Sequence, residues 1–198
     1  MPASCSAMGL GIGSEMAVDS MIIEPATAEV LDDLLAIEQA CFSAPWTRKM
    51  LAAELSGNQF AHFLIAKCPD PLSGSLVIGG FFCFWIVFEE VRLMNLAVLA
   101  RFRRQGVAAR LVCTALRTGL ERGASRAMLE VRASNQEAVT LYHRLGFRQT
   151  ATRTRYYVNP EEDAVLMEMS PLQLGPWCEP PQQEPRQPDN TTVIHERM

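Results

Sequence analysis

The chain has 198 residues, of which 48% are apolar and 20% are charged, and its formal net charge is −4. This length suits one domain with its own core. The longest apolar run, residues 76–88, is too short to cross a bilayer as a helix, and the first basic residue is Arg48, which excludes the basic start of a signal peptide. We therefore expect a cytoplasmic protein with no membrane partner.

Charge is distributed unevenly along the chain. Residues 1–91 hold eleven acidic and three basic side chains, whereas residues 92–155 hold thirteen arginines and three glutamates. This asymmetry indicates either two ligands of opposite charge or solvated faces of opposite charge. No direct nucleic-acid partner is expected, because basic and aromatic residues are not interleaved as they are in single-strand binders.

The six cysteines include no Cys-x-x-Cys pair, and several stand in apolar stretches. We expect them to be reduced thiols. Cys113 lies within a predicted helix and is expected to pack there rather than to act as a nucleophile. No histidine lies at metal-ligand spacing to a cysteine, so no metal site is expected.

The N-terminal quarter predicts one strand and two helices. Residues 1–20 are small and glycine-rich, and we expect them to be disordered. Residues 21–25 predict a strand, and apolar residues recur at helical spacing over residues 28–41. Pro45 breaks this helix, and Thr47 is placed to cap a second helix that ends at about residue 55.

Three strands of an antiparallel meander follow. Residues 63–67 predict the first of them. Residues 76–88 predict a longer strand, whose continuous hydrophobicity indicates cover on both faces. Residues 91–98 predict the third strand, after a tight return at two glutamates.

Helices then alternate with strands. The pattern predicts a helix from Gly106 to Gly123, a strand over residues 127–131 and a helix over residues 135–145. A strand, helix and strand in this order make that part of the sheet parallel.

The domain is expected to close with a hairpin of residues 147–158 and 164–169. Beyond Ser170 the chain is rich in proline and poor in apolar residues, so residues 171–198 are expected to be a disordered tail. The predicted domain therefore spans residues 21–170.

The start of the central helix predicts an anion site. The sequence Arg103-Arg104-Gln105-Gly106-Val107-Ala108 follows an apolar strand directly. A helix start offers unpaired backbone N–H groups and the positive end of the helix dipole, and both suit a phosphate. An ordinary helix start with exposed arginines is the alternative for these residues taken alone.

Three motifs together resemble one known family. The pattern Arg103-x-x-Gly106-x-Ala108 resembles the pyrophosphate loop of the Gcn5-related N-acetyltransferase (GNAT) superfamily. The strings Leu-Glu-Val-Arg-Ala-Ser-Asn at residues 129–135 and Leu-Tyr-His-Arg-Leu-Gly-Phe at residues 141–147 are similar to those of its bacterial ribosomal-protein-alanine N-acetyltransferases, the RimI type. The resemblance covers roughly residues 21–170. It implies an α/β fold with a mixed sheet: antiparallel N-terminal strands, a central parallel pair that splays at the cofactor site, and flanking helices.

The resemblance implies two catalytic residues. Glu130, at the end of a central strand, matches the family's general base, which takes a proton from the acceptor amine directly or through water. Tyr142 matches the general acid that protonates the departing thiolate. Without the resemblance, Glu130 would be a charge at a strand end and Tyr142 a core aromatic with an exposed tip.

Acetyl-CoA is the co-substrate that the resemblance implies. The backbone of Leu96, Ala97 and Val98 is expected to pair with the pantetheine amides as an added strand would. Asn135 matches a further cofactor contact, and it is equally suited to cap the helix that it begins. The predicted phosphate cradle comprises Arg103, Arg104, Gln105, Gly106, Val107, Ala108 and Ala109.

The implied reaction is acetylation of a protein's N-terminal α-amino group, with the N-terminal alanine of a ribosomal protein as the first choice. By analogy, residues 45–46 and Tyr156-Tyr157 flank the acceptor groove. Glu38, Glu89, Glu90 and Glu162 are expected to favour a basic peptide.

Two alternatives stay open at this point. The same fold acts on small amines or lysine side chains in other members of the superfamily, because its motifs describe the cofactor better than the acceptor. A non-catalytic acyl-CoA-binding subunit of a larger complex would bind the cofactor without turnover.

Overall fold

The computed structural model describes residues 21–178, which form seven strands and four α-helices. The strands are β1 (Ile22–Pro25), β2 (Ala61–Pro69), β3 (Leu76–Val87), β4 (Glu90–Val98), β5 (Arg126–Arg132), β6 (Arg148–Val158) and β7 (Glu161–Met169). The helices are α1 (Leu31–Cys41), α2 (Arg48–Gly57), α3 (Val107–Glu121) and α4 (Gln136–Leu145). Residues 1–20 and 179–198, for which the sequence predicts disorder, lie outside the described residues.

One mixed sheet contains all seven strands in the order β1-β2-β3-β4-β5-β7-β6. Every neighbouring pair is antiparallel except β4 and β5, which are parallel. The predicted meander and the predicted parallel pair are both confirmed. In the last hairpin the second strand, β7, pairs with β5, so the first strand, β6, lies at the edge of the sheet.

Helices cover both faces of the sheet. Leu34 of α1 and Leu51 of α2 pack with Phe81 of β3 on one face. Leu111 of α3 packs with Phe82 on the other face. Successive residues of β3 are thus buried on opposite sides, as the continuous hydrophobicity of this strand predicts. None of the helices within residues 21–178 has the length and apolar content needed to cross a lipid bilayer.

Helix α3 lies unusually close to β4. A methyl group built on Gly119 would lie 2.2 Å from Cγ2 of Val91, so the backbone of the helix approaches the strand at a point where a side chain has no room. Glycine at this position is required by packing rather than by backbone conformation.

The C-terminal boundary predicted at Ser170 is wrong for residues 171–178. Leu172 is buried, its N–H donates to the carbonyl of Ser125, and the turn Pro176–Cys178 lies on α3. Cys178 forms a disulfide with Cys113, which corrects the expectation of a reduced, packing thiol at Cys113. The tail as a whole is rich in proline and poor in apolar residues, so its composition did not predict that the few apolar residues at its start pack against the domain.

The other described cysteines, Cys41, Cys68 and Cys83, are free, as expected. Cys5 lies outside the described residues.

The final hairpin also turns earlier than predicted. Strand β7 begins at Glu161 rather than at Ala164, and the turn is made by Asn159 and Pro160. Strand propensity disfavours the acidic run at residues 161–163, but tertiary contacts hold it in the sheet. The Glu162 carboxylate accepts from the backbone N–H of Ser134 and from the guanidinium of Arg132.

Gly119→Ala is expected to destabilise the fold although alanine is the better helix former. The clash with Val91 should lower the free energy of unfolding by about 1–3 kcal/mol, as overpacking of a filled core does. Chemical denaturation of the purified protein measures the change.

Gly57→Ala is the matched control, because a methyl group there meets nothing within 4 Å. Its free energy of unfolding should stay the same or rise slightly. Equal losses of stability in the two variants would contradict the proposed close approach of α3 and β4.

Candidate active site

A bulge in β4 opens a gap in the middle of the sheet. Across the β3–β4 pair, Cys83 is opposite Asn95 and Phe84 is opposite Leu93, so Met94 is an extra residue without a partner. The parallel pairing of β4 with β5 runs from Glu90 only to Leu93, which faces Leu129. Because a bulge bends its strand, β4 separates from β5 at the residue where the bulge begins. Residues 95–98 therefore border a gap whose other side begins at Glu130.

The edge of β4 that faces the gap carries backbone groups that have no strand partner. The Leu99 N–H donates to the Gly79 carbonyl at 2.9 Å, and backbone polar groups of successive strand residues point to alternate edges. The N–H and C=O groups of Leu96 and Val98 thus point into the gap, whereas those of Ala97 point toward β3. The Val98 carbonyl accepts from Nε of Arg103 at 3.0 Å and from Sγ of Cys41 at 3.4 Å.

The predicted phosphate cradle forms the entry to α3. Gly106 caps the helix with φ of +79°, and Arg104 also has a positive φ of +63°. The first helical N–H to bond backward is that of Arg110, which donates to the Gly106 carbonyl at 3.0 Å. The N–H groups of Val107, Ala108 and Ala109 are therefore not used by the helix, as an anion site requires.

Gln105 has a hydrogen bond within the loop, and its contact with the cofactor stays a prediction. Its side-chain amide donates to the carbonyl of Arg101 at 2.9 Å and so braces the loop from within.

Glu130 has two neighbours from the edge strand β6. Its Oε1 accepts from Nη1 of Arg153 at 2.6 Å. Tyr156 also bonds to this carboxylate, and this hydrogen bond, followed by burial, raises the pKa of Tyr156. Sequence reasoning identified Glu130 and Tyr156 but missed Arg153, since nothing in the run Arg153-Thr154-Arg155 distinguishes the two arginines.

A second bulge, in β6, orients the side chains that contact Glu130. Arg153 is opposite Ala164 and Tyr157 is opposite Glu162, so three residues of β6 stand against one of β7. Arg155 takes a positive φ of +51° within this bulge. The displaced strand turns Tyr156 toward Glu130, and the guanidinium of Arg132 lies 4.1 Å from the ring centroid of Tyr157.

Tyr142 lies within α4 and is buried, with 7% of its surface exposed. Its ring packs edge-on against Phe147 at 5.7 Å between centroids. Burial, with a smaller contribution from Tyr157, raises the pKa of Tyr142 well above the ordinary value for tyrosine. The phenol is therefore fully protonated at neutral pH and can donate a proton.

Asn135 caps α4. Its Oδ1 accepts from the N–H of Ala138 at 3.2 Å, which confirms the structural role that the sequence suggested. Its contact with the cofactor stays a prediction.

The acidic residues expected at the acceptor groove are elsewhere or already paired. Glu89 and Glu90 lie at the start of β4, roughly 26 Å from Val98 at the rise of an extended strand. Glu90 is paired there with Arg92 and Arg126. Their assignment to the groove is therefore wrong, because the gap lies at the far end of the strand.

The other two acidic residues are committed to the fold. Glu162 holds residues 132–134, as described above. Glu38 is buried and accepts from the backbone N–H of Trp46 and from Asn95.

Known proteins are similar to this chain in sequence and in fold. The acetyltransferase (GNAT) family model matches residues 31–147. A putative ribosomal protein bS18-alanine N-acetyltransferase of Bacillus subtilis is 33% identical over 139 residues, which are 70% of this chain and 88% of that protein. The ribosomal protein bS18-alanine N-acetyltransferase of Escherichia coli K12 is 32% identical over 66% of this chain and 84% of its own length.

Solved structures of other proteins also have this fold. The crystal structure of the ribosomal-protein-S18-alanine N-acetyltransferase from Escherichia coli matches with a TM-score of 0.67 and 28% identity, over 79% of this chain and 97% of that one. Arabidopsis thaliana NAA60 in complex with acetyl-CoA has a TM-score of 0.67 at 19% identity, over 76% of this chain and 98% of that one, and this shows a shared fold alone. The chain therefore belongs to the acetyltransferase (GNAT) family.

Proposed function

We propose that this protein transfers the acetyl group of acetyl-CoA to the α-amino group of a protein N-terminus, specifically the N-terminal alanine of ribosomal protein S18. The observation that carries the proposal is the gap between β4 and β5, which has backbone groups without a strand partner on one side and Glu130 on the other. The relatives named for this reaction, which the chain covers almost completely, support the choice of acceptor. A ribosomal acceptor would place the reaction in the cytoplasm.

The chain offers acetyl-CoA two kinds of contact. The free N–H groups at the start of α3, with Arg103 and Arg104 beside them, suit the pyrophosphate. The backbone groups of Leu96 and Val98 suit the pantetheine amides, which would extend β4 as an added strand does. The thioester then lies in the gap, within the part of the sheet that Glu130 borders.

Acetyl transfer needs a neutral amine. An α-amino group has a pKa of about 7.7–8.0, so much of it is protonated at neutral pH. Glu130 takes this proton, directly or through water, and the amine nitrogen then attacks the thioester carbonyl carbon. The new C–N bond forms as the C–S bond breaks, and the attacking nitrogen gives up its second proton, which replaces the one that Tyr142 donates to the sulfur. Arg153, which is paired with Glu130 in the structure, balances the charge of the carboxylate while the site holds no acceptor.

Tyr142 completes the reaction by donating its proton to the departing thiolate. Burial keeps the phenol protonated, which is the state that the acid needs. The loop of residues 42–47 and the tyrosines of β6 flank the acceptor in this arrangement. Tyr156, which is 46% exposed and edge-on to Tyr157, has exposed surface that a peptide could contact.

Mass spectrometry of an alanine-initiated S18 peptide incubated with acetyl-CoA tests the function and its base together. Wild-type protein should acetylate the α-amine alone, and Glu130→Gln should lower kcat/KM by about 10²–10⁴-fold, the usual contribution of a general base. A peptide with a blocked N-terminus and an internal lysine is the matched control. Acetylation of that lysine would indicate a different acceptor, and acetyl-CoA binding without any turnover would indicate a non-catalytic subunit.

Tyr142→Phe removes only the hydroxyl and keeps the ring that packs on Phe147. We expect kcat to fall by about 10²-fold, while the KM for acetyl-CoA stays within about twofold. In the wild-type protein, the raised pKa of Tyr142 means that its proton is lost only above the ordinary tyrosine value of about 10. The kcat profile should therefore show no fall between pH 7 and about pH 9.5, and a basic limb in that range would contradict the assignment of Tyr142 as the acid.

Gly106→Ala tests the phosphate cradle. A side chain at φ of +79° costs about 1–2 kcal/mol and should turn the helix start out of position, raising the Kd for acetyl-CoA about tenfold. Gly74→Ala is the control, because Gly74 has a similar φ of +68° in the turn before β3. Isothermal titration should show unchanged acetyl-CoA affinity in this control. Equal affinities for acetyl-CoA in the two variants would show that the cradle does not take part in cofactor binding.

A further inference from the structure

Glu38 is an unusual residue within the core. Its side chain lies on α1 with 1% of its surface exposed, and no ion pair among residues 21–178 includes it. A buried carboxylate without a cation is costly, so its hydrogen bonds are the compensation that the fold provides.

The side chain of Glu38 holds the far end of the loop that follows α1. The N–H of Phe42, at the start of the loop, donates to the backbone carbonyl of Glu38 at 3.0 Å. The N–H of Trp46, at its end, donates to Oε1 of the Glu38 side chain at 2.8 Å. The first bond is the last backbone bond of α1, and the second, made by the side chain, ties the end of the 42–47 loop back to the helix.

The same carboxylate ties this loop to the gap. Its Oε2 accepts from Nδ2 of Asn95 at 3.0 Å, and Asn95 follows the bulged Met94 directly in β4. The neighbouring Cys41 bonds to the Val98 carbonyl, a group at the gap edge of β4. The loop, through Glu38, and the end of α1, through Cys41, are thus each fastened to β4 along the border of the gap.

We propose that Glu38 is a positioning residue of the acceptor site: its buried carboxylate holds the 42–47 loop against β4 beside the bulge and so sets the acceptor side of the gap. This inference rests on the proposed function. The backbone groups of Leu96 and Val98, which suit the pantetheine, are not bonded to Glu38. Loss of Glu38 should therefore affect the acceptor and leave acetyl-CoA binding intact.

Glu38→Ala removes both side-chain hydrogen bonds. We expect the KM for the alanine-initiated peptide to rise about tenfold or more, since each lost bond is worth up to about tenfold, while the Kd for acetyl-CoA changes by less than about twofold. Hydrogen exchange should be faster for the amides of residues 42–47 and unchanged for β2 and β3. Unchanged exchange in the loop or an unchanged KM would overturn the proposal.

Glu38→Gln separates hydrogen bonding from charge. Its amide oxygen can still accept from Trp46, and its NH₂ group can donate to Asn95 once the Asn95 amide rotates to present its oxygen. A positioning role predicts a KM within about threefold of the wild-type value. A rise as large as that in Glu38→Ala would show that the negative charge attracts the acceptor amine, and would overturn positioning by hydrogen bonds.

Glu54 of α2 provides the matched control. Its Oε2 accepts from Nε1 of Trp85 at 2.9 Å and from Nδ2 of Asn58 at 2.8 Å, so Glu54→Ala also loses two hydrogen bonds but touches neither the loop nor β4. Its KM for the peptide should equal that of the wild-type protein. A rise equal to that of Glu38→Ala would mean that any loss of helix contacts disturbs the acceptor, which contradicts the specific role of Glu38.

Asn95→Ala decides the question if Glu38→Ala does not fold. It removes the hydrogen bond between Asn95 and Glu38 and keeps the bond between Glu38 and Trp46. The KM for the peptide should therefore rise by about threefold to tenfold. An unchanged KM would overturn the proposal. Wild-type protein that binds acetyl-CoA yet acetylates no alanine peptide would contradict the proposed function itself, whereas a normal KM in the variants would contradict the role of Glu38 alone.

Discussion

The site depends on one extra residue in the central strand. Met94 has no partner across the β3–β4 pair, and the parallel pairing of β4 with β5 ends at the residue before it. Two parallel strands that would otherwise pair along their length are thereby held apart. Their separation leaves the backbone groups of Leu96 and Val98 without a strand partner on the β5 side and places the Glu130 side chain beside the opening. A bulge thus interrupts the sheet at the place where we propose that the cofactor binds.

A second bulge acts from the opposite side of β5. The irregular part of β6 brings Arg153 and Tyr156 to Glu130, while Arg132 of β5 contacts both Tyr157 and Glu162. Positively and negatively charged side chains alternate between β5 and β6, so Glu130 is already paired with Arg153 before any substrate binds. Because β6 is an exposed edge strand, its side chains have room to exchange one partner for another.

Helix α3 joins the predicted anion site to the core. Its first turn presents free N–H groups at Gly106, and its last turn lies against β4 at Gly119. The helix therefore keeps a fixed distance from the strand that borders the gap. Its outer side receives the C-terminal segment through the Cys113–Cys178 disulfide and the bond from Arg117 to the Cys178 carbonyl.

Local patterns in the sequence determined the elements and the identity of the main site residues. Hydrophobic period and capping residues such as Thr47 and Asn135 act within a few positions, so the helices, the parallel pair and the helix start at Gly106 were predictable, and the motifs around Glu130 and Tyr142 marked both as candidate site residues. Only the tertiary structure decided which distant groups meet. The burial of Glu38, the pairing of Arg153 with Glu130, the distance of Glu90 from the gap and the docking of Cys178 each depend on strand order and bulge position. Those features arise from contacts between residues far apart in the chain, and no local period encodes them.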